Sequence, residues 1–550
     1  MAPLANPALA GSCSFDKVVY AASGVGYGAV AALNQFTLFD HPTAGYTTRK
    51  IDVSHFADLD ASVPWPFSNA DVPINGIVVI PRASGPFPLA IFAHGNHDPT
   101  ENSTPGYLYL CELLASHGVV AATIDCNFLN GGTRGENDGR AIVHLEHVRQ
   151  FVAWNNDAAH PLYGKVDVSR IMLIGHSRGG EAVGHASLFN GLSAVQPDAG
   201  AAPVPLDGTL GLGPYKFPLQ AIVAIAPTDG QYVPVTGPTE VVGNYFILHG
   251  SRDNDVFYFP GYQTYDRTHP IDLTTPLKAP AGYKSLLWIH GANHNYFNSV
   301  WPAETPSIVG LTRAQQKEIA KVFIGALAQA ELLGARGYLE TLRDHQFAED
   351  AGWLPGSLQL VSQHQPEQRQ FVQHFEEPGT VIAVSAPTSG TVDLSKATAR
   401  KLSFDLGPRS HLFEQTFGLR LDWVNRLSRY VIKLDPASLN TDIYGYFCLR
   451  LGQSTEPNNL PATKQDLTLE FEDSAGTIAT VLCSRYQTLW YPDNAAGIGT
   501  QPKTVMQTVR IPLSDLRTDG VDTGRLRQIS LVLDQTDSGT MYLDDLQVCT

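Results

Sequence analysis

Six short, almost wholly apolar runs constrain this chain most: PLAIFA (88–93), GVVAATID (118–125), SRIMLIG (169–175), QAIVAIAP (220–227), YFILHG (245–250) and KSLLWIHG (284–291). None alternates apolar with polar residues, and all stop at Gly, Pro or charged positions. That is the pattern of strands covered on both faces. Helical periodicity fills several of the gaps. Ile142, Leu145, Val148 and Val152 mark one helix, and a second is expected directly after Ser177. A third follows the last run, where Thr312 and Gln315 have capping-box spacing and Ile319, Phe323 and Leu327 recur at helical intervals. Strands alternating with helices predict an α/β domain with a mostly parallel sheet, occupying residues 1–350 behind an N-terminal extension.

The pattern then changes. Segments such as GTVIAVSA, KLSFDLG, RYVIKLD, YGYFCLRLG and GTMYLDDLQV are short, alternating and separated by turn residues. They predict an all-β sandwich over 367–550, most simply a jelly roll, joined through a Gly- and Pro-containing linker at 351–366. All candidate catalytic groups precede that linker, so a chain ending near residue 350 is expected to keep the chemistry. Apolar residues make up 43% of the 550, enough to bury two or three cores. The formal charge of −16, without a block of Lys or Arg, argues against a nucleic-acid partner. No apolar run is long enough for a transmembrane helix. Six cysteines without a CxxC pair form neither a disulfide scaffold nor a structural zinc site. The start, MAPLANPALAGSCSF, lacks the basic region of a signal peptide. The low lysine content and even number of cysteines favour a secreted or periplasmic location over the cytoplasm.

One motif carries chemistry. GHSRGG places Gly175, Ser177 and Gly179 in a G-x-S-x-G pattern between an apolar strand and a helix. A serine at such a turn is strained and exposed at the strand's carboxyl end. Its hydroxyl needs a base, and the base needs an acid, in the chain order Ser, Asp, His. GSRDNDV offers Asp253 and, in reserve, Asp255; GANHNYF offers His294 in the loop after the last run. His290 lies within the strand pattern and is expected to pack, and His249 is expected to be a bystander. Attack on a carbonyl also needs two N–H groups aimed at the developing oxyanion. The amide of Arg178 supplies one, and that of Asn96 in the HGNHD loop the other. An alternative reading makes His94, His97 and Asp98 metal ligands, but no further ligand is evident. A neutral histidine base predicts an alkaline rise in activity, roughly between pH 6 and 7.5.

Together HGNHD, GHSRGG, GSRDNDV and GANHNYF resemble the α/β-hydrolase superfamily, in particular its dienelactone-hydrolase-like, chlorophyllase-like and bacterial polyester-hydrolase branches. The resemblance covers roughly residues 35–335. It implies a serine esterase with Ser177, Asp253 and His294 as triad, Asn96 and Arg178 as oxyanion donors, and no cofactor or metal. A small or polymeric ester is the implied substrate. An amidase or peptidase would use the same triad. The C-terminal region resembles galactose-binding-like or carbohydrate-binding sandwiches, which implies contact with a carbohydrate or a surface. A protein of that kind with an inactive hydrolase domain is a competing reading, as is a sandwich serving only as lid or dimer element.

Overall fold

The computed structural model describes residues 3–231, 241, 243–268, 282–304, 310–407, 409–439, 441–493 and 502–550. The chain forms two compact units. One comprises Met1–Lys284, Gly291–Leu342 and Phe347–Leu358; the other comprises Ser285–His290, Arg343–Gln346 and Gln359–Thr550.

The first unit is built on a mixed sheet of β1 (Phe15–Ala22), β2 (Thr47–Thr48), β3 (Gly76–Pro81), β4 (Phe87–Ala93), β5 (Val120–Ile124), β6 (Val166–His176), β7 (Leu219–Ile225) and β8 (Tyr245–Gly250). Their spatial order is β8-β7-β6-β4-β5-β3-β1-β2. The strands from β8 to β5 in that order pair in parallel, whereas β3 is antiparallel to both β5 and β1. Every residue of β3, β4, β5 and β8 is buried, as their unbroken apolar character requires. Register brings the carboxyl ends level: Ala93 faces Gly175, His176 faces Ile225, and Ile225 faces Leu248. The loops after β4, β6, β7 and β8 therefore gather along one sheet edge, where open α/β sheets place their ligands.

Five helices matter for the site: α1 (Leu108–Ser116), α2 (Glu136–Asn156), α3 (Arg178–Phe189), α4 (Gly261–Arg267) and α5 (Arg313–Glu331). The capping box of α5 forms as expected, with the Thr312 hydroxyl accepting from the Gln315 amide and the Gln315 side chain accepting from the Thr312 amide. Helix α2 departs from a simple apolar stripe. Glu136, Asp138, Arg140, His144, Glu146 and His147 are buried alongside Ile142, Leu145 and Val148. Both histidines have a partner at one ring nitrogen: His144 meets the Ile91 carbonyl at 3.1 Å and His147 meets the Tyr20 hydroxyl at 2.8 Å.

The second unit contains two antiparallel sheets. One runs Ala397–Asp405, Phe413–Trp423, Gly539–Cys549, Tyr446–Gln453, Gln507–Pro512; the other runs Gly390–Ser395, Ser428–Leu434, Leu526–Leu533, Thr468–Asp473, Ile478–Leu482. Alternation explains the packing. In SRYVIKL the first, third, fifth and seventh residues are buried, and Tyr430 and Ile432 share one core with Leu419, Phe447, Phe471, Ile529 and Leu543 from both sheets. Strand β9 (Tyr283–Ile289) runs into this unit. There the His290 amide donates to the Gln359 carbonyl at 3.0 Å, and the Ser285 hydroxyl meets His364 Nδ1 at 2.8 Å. Among the described residues, no helix is long and apolar enough to cross a membrane.

Candidate active site

Ser177 joins β6 to α3 with φ 60° and ψ −125°, a backbone state that L-residues avoid. Its neighbours explain why glycine flanks it. A Cβ on Gly175 would run into the Gly179 carbonyl, one on Gly179 would lie 2.6 Å from the His94 carbonyl oxygen, and one on Gly95 would collide with Ser177 itself. Strand, helix and the loop after β4 thus meet at backbone distance. The Ser177 amide donates to the Ile225 carbonyl at 2.8 Å and its carbonyl accepts from Gly180 at 2.8 Å, fixing the turn from both sides.

Asp253 lies in the loop after β8. One carboxylate oxygen accepts the amides of Val256 (2.6 Å) and Asp255 (3.0 Å), and the other accepts from His294 Nδ1 at 2.7 Å. Both side chains are fully buried. Burial opposes charge on each, yet their mutual attraction prevails. His294, aided further by Asp255 and Glu304, is raised to about 9. Against the same desolvation, His294 and His249 hold the Asp253 carboxyl well below the usual carboxylate range. His294 Nε2 is buried and makes no hydrogen bond among the described residues. The His294 ring lies 4.8 Å from that of His176, the residue before Ser177. Burial keeps the His176 imidazole far below its ordinary value, and its Nδ1 is engaged by the Tyr107 hydroxyl at 2.8 Å.

The other candidates separate. Asp255 is on the Nε2 side, 3.7 Å away and 62% exposed, so it does not share the Asp253 position. His290 meets Gln359 at 3.1 Å, outside this group. His249, expected to be a bystander, has its Nε2 3.4 Å from the Asp253 carboxylate.

The loop after β4 is braced from below. His94 Nδ1 donates to the Gly95 carbonyl at 2.8 Å while its Nε2 accepts from the Cys126 amide at 3.0 Å, so both ring nitrogens are committed. His97 faces Glu101 at 3.2 Å, and Asp98 accepts the Thr100 amide and hydroxyl. Among the described residues, no group of three His, Cys, Asp or Glu side chains is arranged to hold a metal. The Asn96 side chain accepts from the Gly131 amide at 2.7 Å. Fully buried Glu136 pairs with the guanidinium groups of both Arg140 and Arg178. Arg140 in turn donates to the carbonyls of His94, Cys126 and Leu129. One buried carboxylate therefore ties the Arg178 side chain and, through Arg140, the loop after β4 to α2.

Residues 43–233 match the family model described as Chlorophyllase. The large mixed α/β sheet over this stretch is consistent with an α/β-hydrolase fold. The match includes the elbow and the loop bearing Asn96, and it supports a hydrolase acting on esters. No curated protein matches the chain. The sequence alone did not point to Glu136, Arg140, Glu304 and Trp301. Glu136 and Arg140 have the i,i+4 spacing of a helical ion pair, a signal that was available. Trp301 was not legible: it stacks on His97 at 5.3 Å and on His294 at 6.2 Å through contacts that only the fold creates.

Proposed function

We propose that this protein is a serine hydrolase that cleaves carboxylic esters. The observation that carries the reading is His294, bound through Nδ1 to buried Asp253 with Nε2 unengaged, beside the residue that leads into the Ser177 elbow. His294 Nε2 takes the Ser177 proton as Oγ attacks the ester carbonyl. The tetrahedral oxyanion is met by the backbone amides of Asn96 and Arg178, which the Glu136 brace keeps in place. Collapse expels the alcohol, which takes its proton from the imidazolium and leaves an acyl group on Ser177. Water, deprotonated by the same nitrogen, attacks the acyl carbon, and the imidazolium returns that proton to Ser177 Oγ as the acid departs. Asp253 holds the tautomer and stabilises the imidazolium throughout.

The test is a p-nitrophenyl ester series of increasing acyl length beside short peptide p-nitroanilides, with fluorophosphonate labelling followed by peptide mapping. Ester turnover with label on Ser177 is the expected result. Anilide turnover exceeding ester turnover would move the protein to the amidases, and absence of both turnover and label would leave a binding protein.

A further inference from the structure

The acid and the base stand on loops from different strands, and a triad tolerates little relative movement between them. We propose that Glu304 is a positioning residue that clamps the acid loop to the base loop. One of its carboxylate oxygens accepts the Asn254 amide and the other accepts the Asn295 amide, each at 2.9 Å. Those amides belong to the residues immediately following Asp253 and His294. The inference rests on the reading of Asp253 and His294 as acid and base.

The surrounding contacts make the clamp rigid. The Asn295 side chain donates to the Pro302 carbonyl at 3.1 Å, closing the turn that returns Glu304 to the site. On its other side the base loop is held by Gln316 of α5, which exchanges two 2.9 Å hydrogen bonds with the Asn293 backbone. Hydrogen bonds to an ionised carboxylate are about twice as strong as neutral ones, and a bidentate acceptor also fixes direction. Glu304 adds a negative charge to the field at His294. The other titratable groups facing that imidazole are Asp253, Asp255, His249 and His176. Burial first, and the Asp253 charge second, raise the Glu304 carboxyl above its ordinary value, with His294 opposing.

Geometry and charge can be separated by substitution. Glu304→Gln keeps the size but turns an NH2 group toward one donor amide and removes the charge. It is expected to lower kcat by roughly 10–100-fold with KM nearly unchanged, since misplacement of about 1 Å costs rate rather than binding. The acid limb of kcat/KM is expected to move to lower pH, because His294 loses a charge that favours its protonated form. Glu304→Asp restores the charge but is one methylene too short to span both amides. It should return the limb toward wild type while kcat stays depressed. A merely structural residue would not split the two effects. Wild-type kcat and an unmoved limb in Glu304→Gln overturn the proposal. Should that variant unfold, hydrogen exchange on the wild type decides: the Asn254 and Asn295 amides must be protected, and rapid exchange of either overturns the clamp. Ser177→Ala and His294→Ala run in parallel. If they retain turnover the catalytic reading itself fails, whereas if only they lose it the clamp alone fails.

Discussion

At Ser177 the backbone is held in a conformation costing about 1–3 kcal/mol, tolerated because strand β6, helix α3 and the Gly95 loop leave no alternative. Removing only the hydroxyl keeps that framework. Ser177→Ala is therefore expected to fold with an unchanged unfolding temperature and to lose roughly 10³-fold or more in kcat on a small ester. Retention of a tenth of wild-type turnover would remove Ser177 from the mechanism. The two aspartates should differ sharply. Asp253→Asn is expected to cost about 10²–10⁴ in kcat, and exposed Asp255→Asn far less. The reverse order would reassign the acid. The pH profile follows from the ion pair. His294 must be neutral to act, and its pKa lies above the ordinary 6.5, at about 9. Hence kcat/KM should rise through an apparent pKa above 6.5, higher than the unperturbed histidine value led one to expect. The contribution of this raised group to folding stability is complete below pH 6.5 and fades as pH rises through 9, the window in which activity grows. Asp253 has the opposite sign: its contribution is complete above the ordinary carboxylate range and is lost only as pH falls through its depressed value. A limb at or below 6.5 in steady-state kinetics would show that the pair is not coupled in this way.

At the scale of elements, the buried group of Glu136, Arg140 and Arg178 ties α2 to the elbow and to the loop after β4. Neutralising one member strands the others. Glu136→Gln is expected to destabilise the protein by about 3–5 kcal/mol, read as a fall in the denaturant midpoint, whereas replacing Glu136 and Arg140 together should cost less than the sum of the singles. Additivity would mean that the pair does not act as one unit. What could be read in the sequence follows from the same distinction. The strands β4 to β8 were legible because burial on both faces forces unbroken apolar runs, and the elbow was legible because close approach admits only glycine. The preference for Asp253 over Asp255 also had a local basis, its earlier place in the loop. The i,i+4 spacing of Glu136 and Arg140 stood in the sequence, but their burial did not, because a charged residue in a helix reads as exposed until the fold covers it. Glu304 was hidden for a different reason. Its partners are backbone amides, one of them 50 residues away, and such contacts leave no residue-type signature.

At the scale of the whole molecule, the chain leaves the first unit after Lys284, contributes residues 285–290 to the second, and returns at Gly291, three residues before His294. The bonds of His290 to Gln359 and of Ser285 to His364 hold that excursion in place. This bears on the expectation that residues 1–350 suffice for chemistry. A chain ending at 350 keeps Ser177, Asp253 and His294 but leaves 285–290 without their partners. It is expected to lose most ester turnover even when monodisperse, as kcat beside the full-length protein would show. Full activity in the folded fragment would mean that the strand needs nothing beyond residue 350. The same threading orders events in time. A ribosome adding about 5–20 residues per second makes Ser177, Asp253 and His294 several seconds before it makes the segment that receives 285–290. During that interval residues 285–290 of the nascent chain are without their partners at Gln359 and His364.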